Sequence, residues 1–169
     1  ILAPNSKNDD CRSGRDSVSP PLTFSPHLGR IKIVMKYFAY GSNLHLPHLR
    51  SWLARCRVDP DELGPAQHAI LPGYRLRTNY LCSHGAGAAN IEPAPRHKVE
   101  GIIMAITPAV RQALRLKEGH PHRYEEIEVT VMPCRNRRKV RAFTYIVAPE
   151  FRLPYVVPVT EWYRHLILK

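Results

Sequence analysis

Tyr40-Gly41-Ser42-Asn43-Leu44 joins a strand-like run to a helix-like one, and a turn of that composition can do chemistry. Glycine lets the backbone approach a ligand closely. The N–H groups at a helix start form a cradle for an anion. Ser42 and Asn43 serve equally well as a plain turn and helix cap, so the local residues leave both readings open. Glu118 is the second position of interest: it follows a helix-like segment and precedes Gly119. Negative charge near a helix C-terminus is electrostatically unfavourable, which hints at a task, although exposure is the commoner fate of a glutamate. Arg115, Lys117, His120 and His122 lie close by in sequence and can offset that charge.

Other patterns carry less. His45 and His48 have a spacing that some metal sites use, but Pro47 lies between them and no third ligand is near, so packing or surface roles are favoured. The arginines around residues 135–141 read as a solvated hairpin turn, without the interleaved aromatics of a single-strand binder. Cys11, Cys56, Cys82 and Cys134 are scattered with no C-x-x-C, which argues for reduced structural thiols in a cytoplasmic protein. The chain has 169 residues with 25 Lys/Arg against 14 Asp/Glu, a net charge of +11. Such a surplus suits either nucleic acid or a cleft for small anionic substrates. No apolar run approaches the ~20 residues of a membrane span.

These residues need elements to hold them. Residues 1–34 are rich in Ser, Pro, Asp and Asn without a sustained period, and are expected to be a disordered extension. The domain is expected over residues 35–169, opening at Met35, the first methionine. Residues 31–40 read as a buried strand, and Leu46, Leu49, Trp52 and Leu53 recur at helical spacing to about Arg55. Residues 58–66 read as a loop, and 66–71 and 74–79 as strands split by Pro72-Gly73. Residues 84–89, rich in Gly and Ala, read as a loop or an irregular bend. A strand over 99–106 leads to Thr107-Pro108, an N-cap and first-turn pair that predicts a helix over 108–116. Residues 124–132 alternate, with Ile127, Val129 and Val131 on one side and Glu126, Glu128 and Thr130 on the other; 139–147 is the hairpin partner. Thr160 can cap a last helix. The expected fold is α+β, a small mixed β-barrel with a few flanking helices.

Read along the chain, these segments resemble the γ-glutamylcyclotransferase-like family, which includes AIG2-like and γ-glutamylamine cyclotransferase-like proteins. The resemblance rests on Lys36-Tyr37-Phe38-Ala39-Tyr40-Gly41-Ser42-Asn43-Leu44, Leu71-Pro72-Gly73-Tyr74-Arg75-Leu76 and Ala88-Ala89-Asn90-Ile91-Glu92-Pro93. It continues through Val99-Glu100-Gly101-Ile102-Ile103, the Leu114 to Glu118-Gly119 stretch and Tyr124. It implies that Tyr40, Gly41, Ser42, Asn43 and Leu44 bind a γ-glutamyl group and that Glu118 is the catalytic acid–base. Tyr145 and Tyr124 match substrate-facing tyrosines, the gap from Glu118 to Tyr124 being one residue shorter than in better-known members. The family commonly has an Asp three positions before the catalytic Glu; here that position is Arg115.

A single carboxylate suits the implied reaction. A γ-glutamyl group carries its own nucleophile, the α-amine, which is mostly protonated at neutral pH. A carboxylate can take that proton and return one to the departing amine, giving 5-oxoproline and a free amine or amino acid. The resemblance implies no metal or organic cofactor, a small-molecule γ-glutamyl substrate as partner and no membrane association. Nucleic acid is the less favoured partner, and the alternative function is a non-catalytic basic binding module on the same fold. Nothing in the sequence sets an oligomeric state.

Overall fold

The computed structural model describes residues 34–83 and 85–167; the expectation of a disordered N-terminal extension lies outside them but for Val34. Five strands close into a barrel in the order β1-β3-β2-β4-β5. They are β1 (Met35–Ala39), β2 (Gln67–Leu81), β3 (Gly87–Ile106), β4 (Tyr124–Pro133) and β5 (Val140–Val147). Antiparallel pairs build most of the wall, and a short parallel pairing of β1 with β5 closes it at Tyr37 and Phe143. Among the described residues three helices flank it: α1 (Leu46–Arg55), α2 (Pro108–Glu118) and α3 (Glu161–Ile167). No helix among the described residues is long and apolar enough to cross a membrane.

β1 is buried on both faces, and its alternation divides the core in two. Phe38 and Tyr40 point to one side with Leu71, Ile91, Val99, Ile103, Val129 and Val131. Tyr37 and Ala39 point to the other, where Leu49 and Leu53 of α1 and Val110, Ala113 and Leu114 of α2 pack against Met104 and Ile106. Each fully buried Leu or Ile contributes about 1.5–3 kcal/mol, so the second cluster fastens both helices to the barrel wall beside the end of β1.

Three expectations need correction. The strands expected over 66–71 and 74–79 are one continuous strand, β2, in which the register against β3 shifts between Pro72 and Tyr74. Gly73 adopts φ +79 there, so the dipeptide read as a break is a bulge that bends the strand. The loop expected over 84–89 instead contains the start of β3 at Gly87. A Cβ at Gly87 would lie 2.3 Å from the Val157 carbonyl oxygen, and the Gly87 N–H donates to Pro158 at 2.8 Å. Small residues stand in this stretch because another backbone segment lies against it.

The third correction concerns α2. Thr107 caps it as expected, its hydroxyl accepting from the Val110 N–H, but the helix runs two residues further, to Glu118. Gly119 ends it in the left-handed conformation, φ 65 and ψ 33, the usual glycine stop. Glu118 is therefore the last residue of the helix and does not follow it.

Candidate functional site

β1 ends at Ala39, and the chain turns through Tyr40 and Gly41 into a single 3-10 turn over Ser42–Leu44. The Leu44 N–H closes that turn on the Gly41 carbonyl at 2.9 Å. His45 then starts α1, its Nδ1 accepting from the His48 N–H at 3.2 Å. That contact gives His45 a capping role of the sort usually filled by Ser or Asp. Gly41 allows a close approach: a Cβ there would lie 3.3 Å from Ala89 Cβ and 3.4 Å from the Tyr163 hydroxyl.

Helix α2 brings its C-terminal residue to this turn. Asn43, 4% exposed, donates from Nδ2 to Glu118 Oε1 at 2.9 Å and to the Tyr37 hydroxyl at 2.8 Å. Its Oδ1 is buried without a partner among the described residues. Lys117 donates from Nζ to Ser42 Oγ at 3.2 Å. Glu118 makes no ion pair among the described residues. One neutral amide therefore orients the carboxylate, and the adjacent Lys117 is bonded to a serine.

A cavity of about 610 Å³ opens over this arrangement, within the ordinary size of a small-molecule site. Tyr40, Gly41, Ser42, Asn43, Glu118, Tyr124 and Tyr145 all line it. Leu44 does not; its backbone closes the turn behind the cavity. Tyr40 lines the wall with its hydroxyl committed, donating to the Tyr145 carbonyl at 2.5 Å. Tyr124 donates to the Ala89 carbonyl at 3.3 Å and meets Tyr80 edge-on, ring centroids 5.5 Å apart. Tyr145 donates to Glu126 Oε2 at 3.1 Å.

The wall is rich in phenols, and Glu118 is the one carboxylate among the described residues that line it. Burial pushes Tyr37, Tyr40, Tyr124, Tyr145 and Tyr163 up from their ordinary value, and the charge of Glu118 adds to each. All five phenols therefore keep their protons near neutral pH. Burial, followed by the charges of Lys117 and Arg55, pushes His48 down, so its ring is neutral there as well.

The last helix is expected from the sequence, but nothing in its spacing points to the cavity wall. Tyr163 of α3 accepts from the Ala89 N–H at 3.0 Å, and Trp162 meets His48 edge-on with centroids 6.0 Å apart. Their helix lies far along the chain from the turn it covers. Glu126 was expected to face away from the apolar side of β4 with Glu128 and Thr130. It does, but that side is not open to water at this point: α2 lies against it, and the Glu126 side chain is 10% exposed. Among the described residues no group of three or more His, Cys, Asp or Glu side chains is spaced to hold a metal ion.

Comparisons with known proteins bear on the fold and the family. Residues 37–164 match the family model described as gamma-glutamyl cyclotransferase, AIG2-like. Curated protein sequences give no significant match. Among solved structures, one described as a gamma-glutamyl cyclotransferase has 20% identity and a TM-score of 0.64, covering 80% of this chain and 76% of that one. YkqA from Bacillus subtilis has 23% identity and a TM-score of 0.65, covering 80% of this chain and 47% of its own. An AIG2-like protein from Mus musculus has 21% identity and a TM-score of 0.55, covering 72% and 85%. These identities speak for the fold alone. The family model spans the opening turn, the end of α2 and most of the barrel between and beyond them, and the chain belongs to the gamma-glutamyl cyclotransferase, AIG2-like family.

Proposed function

We propose that the protein cyclises γ-glutamyl amines or γ-glutamyl peptides to 5-oxoproline, with Glu118 as the catalytic base and acid. In this reaction the substrate's α-nitrogen forms a bond to its own γ-carbonyl carbon, and the amide C–N bond to the leaving amine breaks. Glu118 takes a proton from the α-amino group and returns one to the departing nitrogen. Ser42, Asn43 and the N–H groups of residues 41–43 hold the glutamyl group, and the Lys117 ammonium beside Ser42 takes its α-carboxylate. Tyr124 and Tyr145 wall the folded conformer that brings nucleophile and carbonyl together.

The observation that carries this reading is the Asn43–Glu118 hydrogen bond inside a cavity walled by protonated phenols. Among the described residues the carboxylate is oriented by that amide and pairs with no cation, as a group that must both accept and release a proton requires. The test is 5-oxoproline release across γ-glutamyl dipeptides, γ-glutamyl-ε-lysine and glutathione, with Glu118→Gln as control. Release by the wild type and none by the folded variant is the expected result. Equal release by both sinks the assignment of Glu118.

A further inference from the structure

A second carboxylate lies just behind the cavity wall. Glu126 of β4 takes both guanidinium groups of the α2 stripe: Arg111 pairs with it through Nη2 to Oε1 and donates from Nε to Oε2 at 3.1 Å, and Arg115 donates from Nε at 3.3 Å. A third donor is the Tyr145 hydroxyl, at 3.1 Å. Glu126, Arg111 and Arg115 do not line the cavity, whereas Tyr145 does. Register places Glu126 and Tyr145 directly opposite each other on β4 and β5.

We infer that Glu126 is a positioning residue for the reaction, holding the Tyr145 wall and the end of helix α2 in one fixed relation across the cavity. The inference rests on the cyclisation reading above.

Two routes lead from Glu126 to the site. Along one, Tyr145, itself 3% exposed, packs on Tyr37 with ring centroids 6.1 Å apart. The Tyr37 hydroxyl accepts from the same Asn43 amide that donates to Glu118. Along the other, residues 111, 115 and 118 are spaced four and three apart, so they share one stripe of α2. Clamping Arg111 and Arg115 to β4 sets the rotation of the helix, and that rotation aims Glu118. Burial would raise the Glu126 carboxyl, but hydrogen bonds from Arg111 and Arg115 outweigh it and hold the group below its ordinary value. Burial first, then the charge of Glu126, pushes Tyr145 up, so the phenol stays a donor.

The test measures 5-oxoproline release and thermal unfolding for the full chain carrying Glu126→Gln, Tyr145→Phe and both. Gln offers one acceptor oxygen, for which two guanidiniums and a phenol compete. Misplacing a wall by about 1 Å costs up to about 100-fold in rate, so kcat is expected to fall about 10-fold or more in each single variant, with KM changed far less. The double variant should fall no further than the worse single, because both break one linkage. Tyr145→Phe leaves the arginine pairs intact, and keeps the question answerable if Glu126→Gln does not fold. Unchanged kcat per folded molecule, with only a lower melting temperature, overturns the inference. Multiplying losses in the double variant overturn the route through Tyr145. A folded wild type that releases nothing overturns the cyclisation reading and this inference with it.

Discussion

Glu118 and Glu126 are served by the same stripe of one helix, yet they occupy opposite surroundings. Glu126 has two arginines and a phenol, and its charge is fully matched. Glu118 has a single amide and a wall of protonated phenols. A carboxylate held by two cations is fixed in its charged state and contributes order. One held by a neutral donor can change protonation without losing an ion pair. The difference teaches that tight pairing goes with the carboxylate that ties helix to strand, while the sparsely partnered one is the proposed proton carrier.

The strongest way to break this contrast is to neutralise the unpaired group. Glu118→Gln is expected to cut turnover by about 10²–10⁴-fold, because the amide can neither accept nor return the proton, while the melting temperature stays near that of the wild type. A large drop in stability with little loss of turnover per folded molecule would reverse the two roles. Next in size is Lys117→Met, which removes the cation bonded to Ser42 and the proposed partner of the substrate carboxylate. Charged hydrogen bonds are worth about 1.5–3 kcal/mol, so KM in steady-state assays should rise by about 10-fold or more, with kcat less affected.

The paired carboxylate makes its own prediction, in stability against pH. The folded-state value for Glu126 lies below its ordinary one, so its contribution is fully present above the unfolded carboxyl value of about 4.3. It is lost as pH falls through the depressed folded value. Urea unfolding of wild type and Glu126→Gln should therefore show a stability gap near neutral pH that closes under more acidic conditions. A gap that widens with acid contradicts the clamp. The smallest effect is expected for Arg115→Met. Its side chain is 35% exposed and Arg111 stays in place, so the loss of unfolding free energy should be within about 1 kcal/mol.

Much of the frame is legible in one dimension. Thr107-Pro108 announces the start of α2, and the alternation over residues 124–132 announces β4, because capping and side-chain periodicity are local effects. The turn of Tyr40 to Asn43 and the carboxylate of Glu118 stand out by type and by resemblance to a family. Other elements were misread for reasons that local chemistry cannot supply. Pro72-Gly73 makes a bulge because β3 continues past it and supplies partners on both sides. Gly87 lies in a strand because it pairs with Leu81 of β2, and it must be small because the Val157 carbonyl lies against it.

The sequence by itself determined the helix starts, the buried faces and the residue types that can carry a proton or approach a ligand. Each depends on neighbours within a few positions along the chain. Only the tertiary structure decided that Asn43 meets Glu118, that Tyr163 meets Ala89 beside the turn, and that Glu126 lies under α2 instead of in water. Those contacts join residues 75, 74 and 15 positions apart, the last by Arg111 to Glu126. They arise because closing five strands into a barrel brings the end of β1, the end of α2 and α3 to one rim, and no periodicity along the chain records that closure.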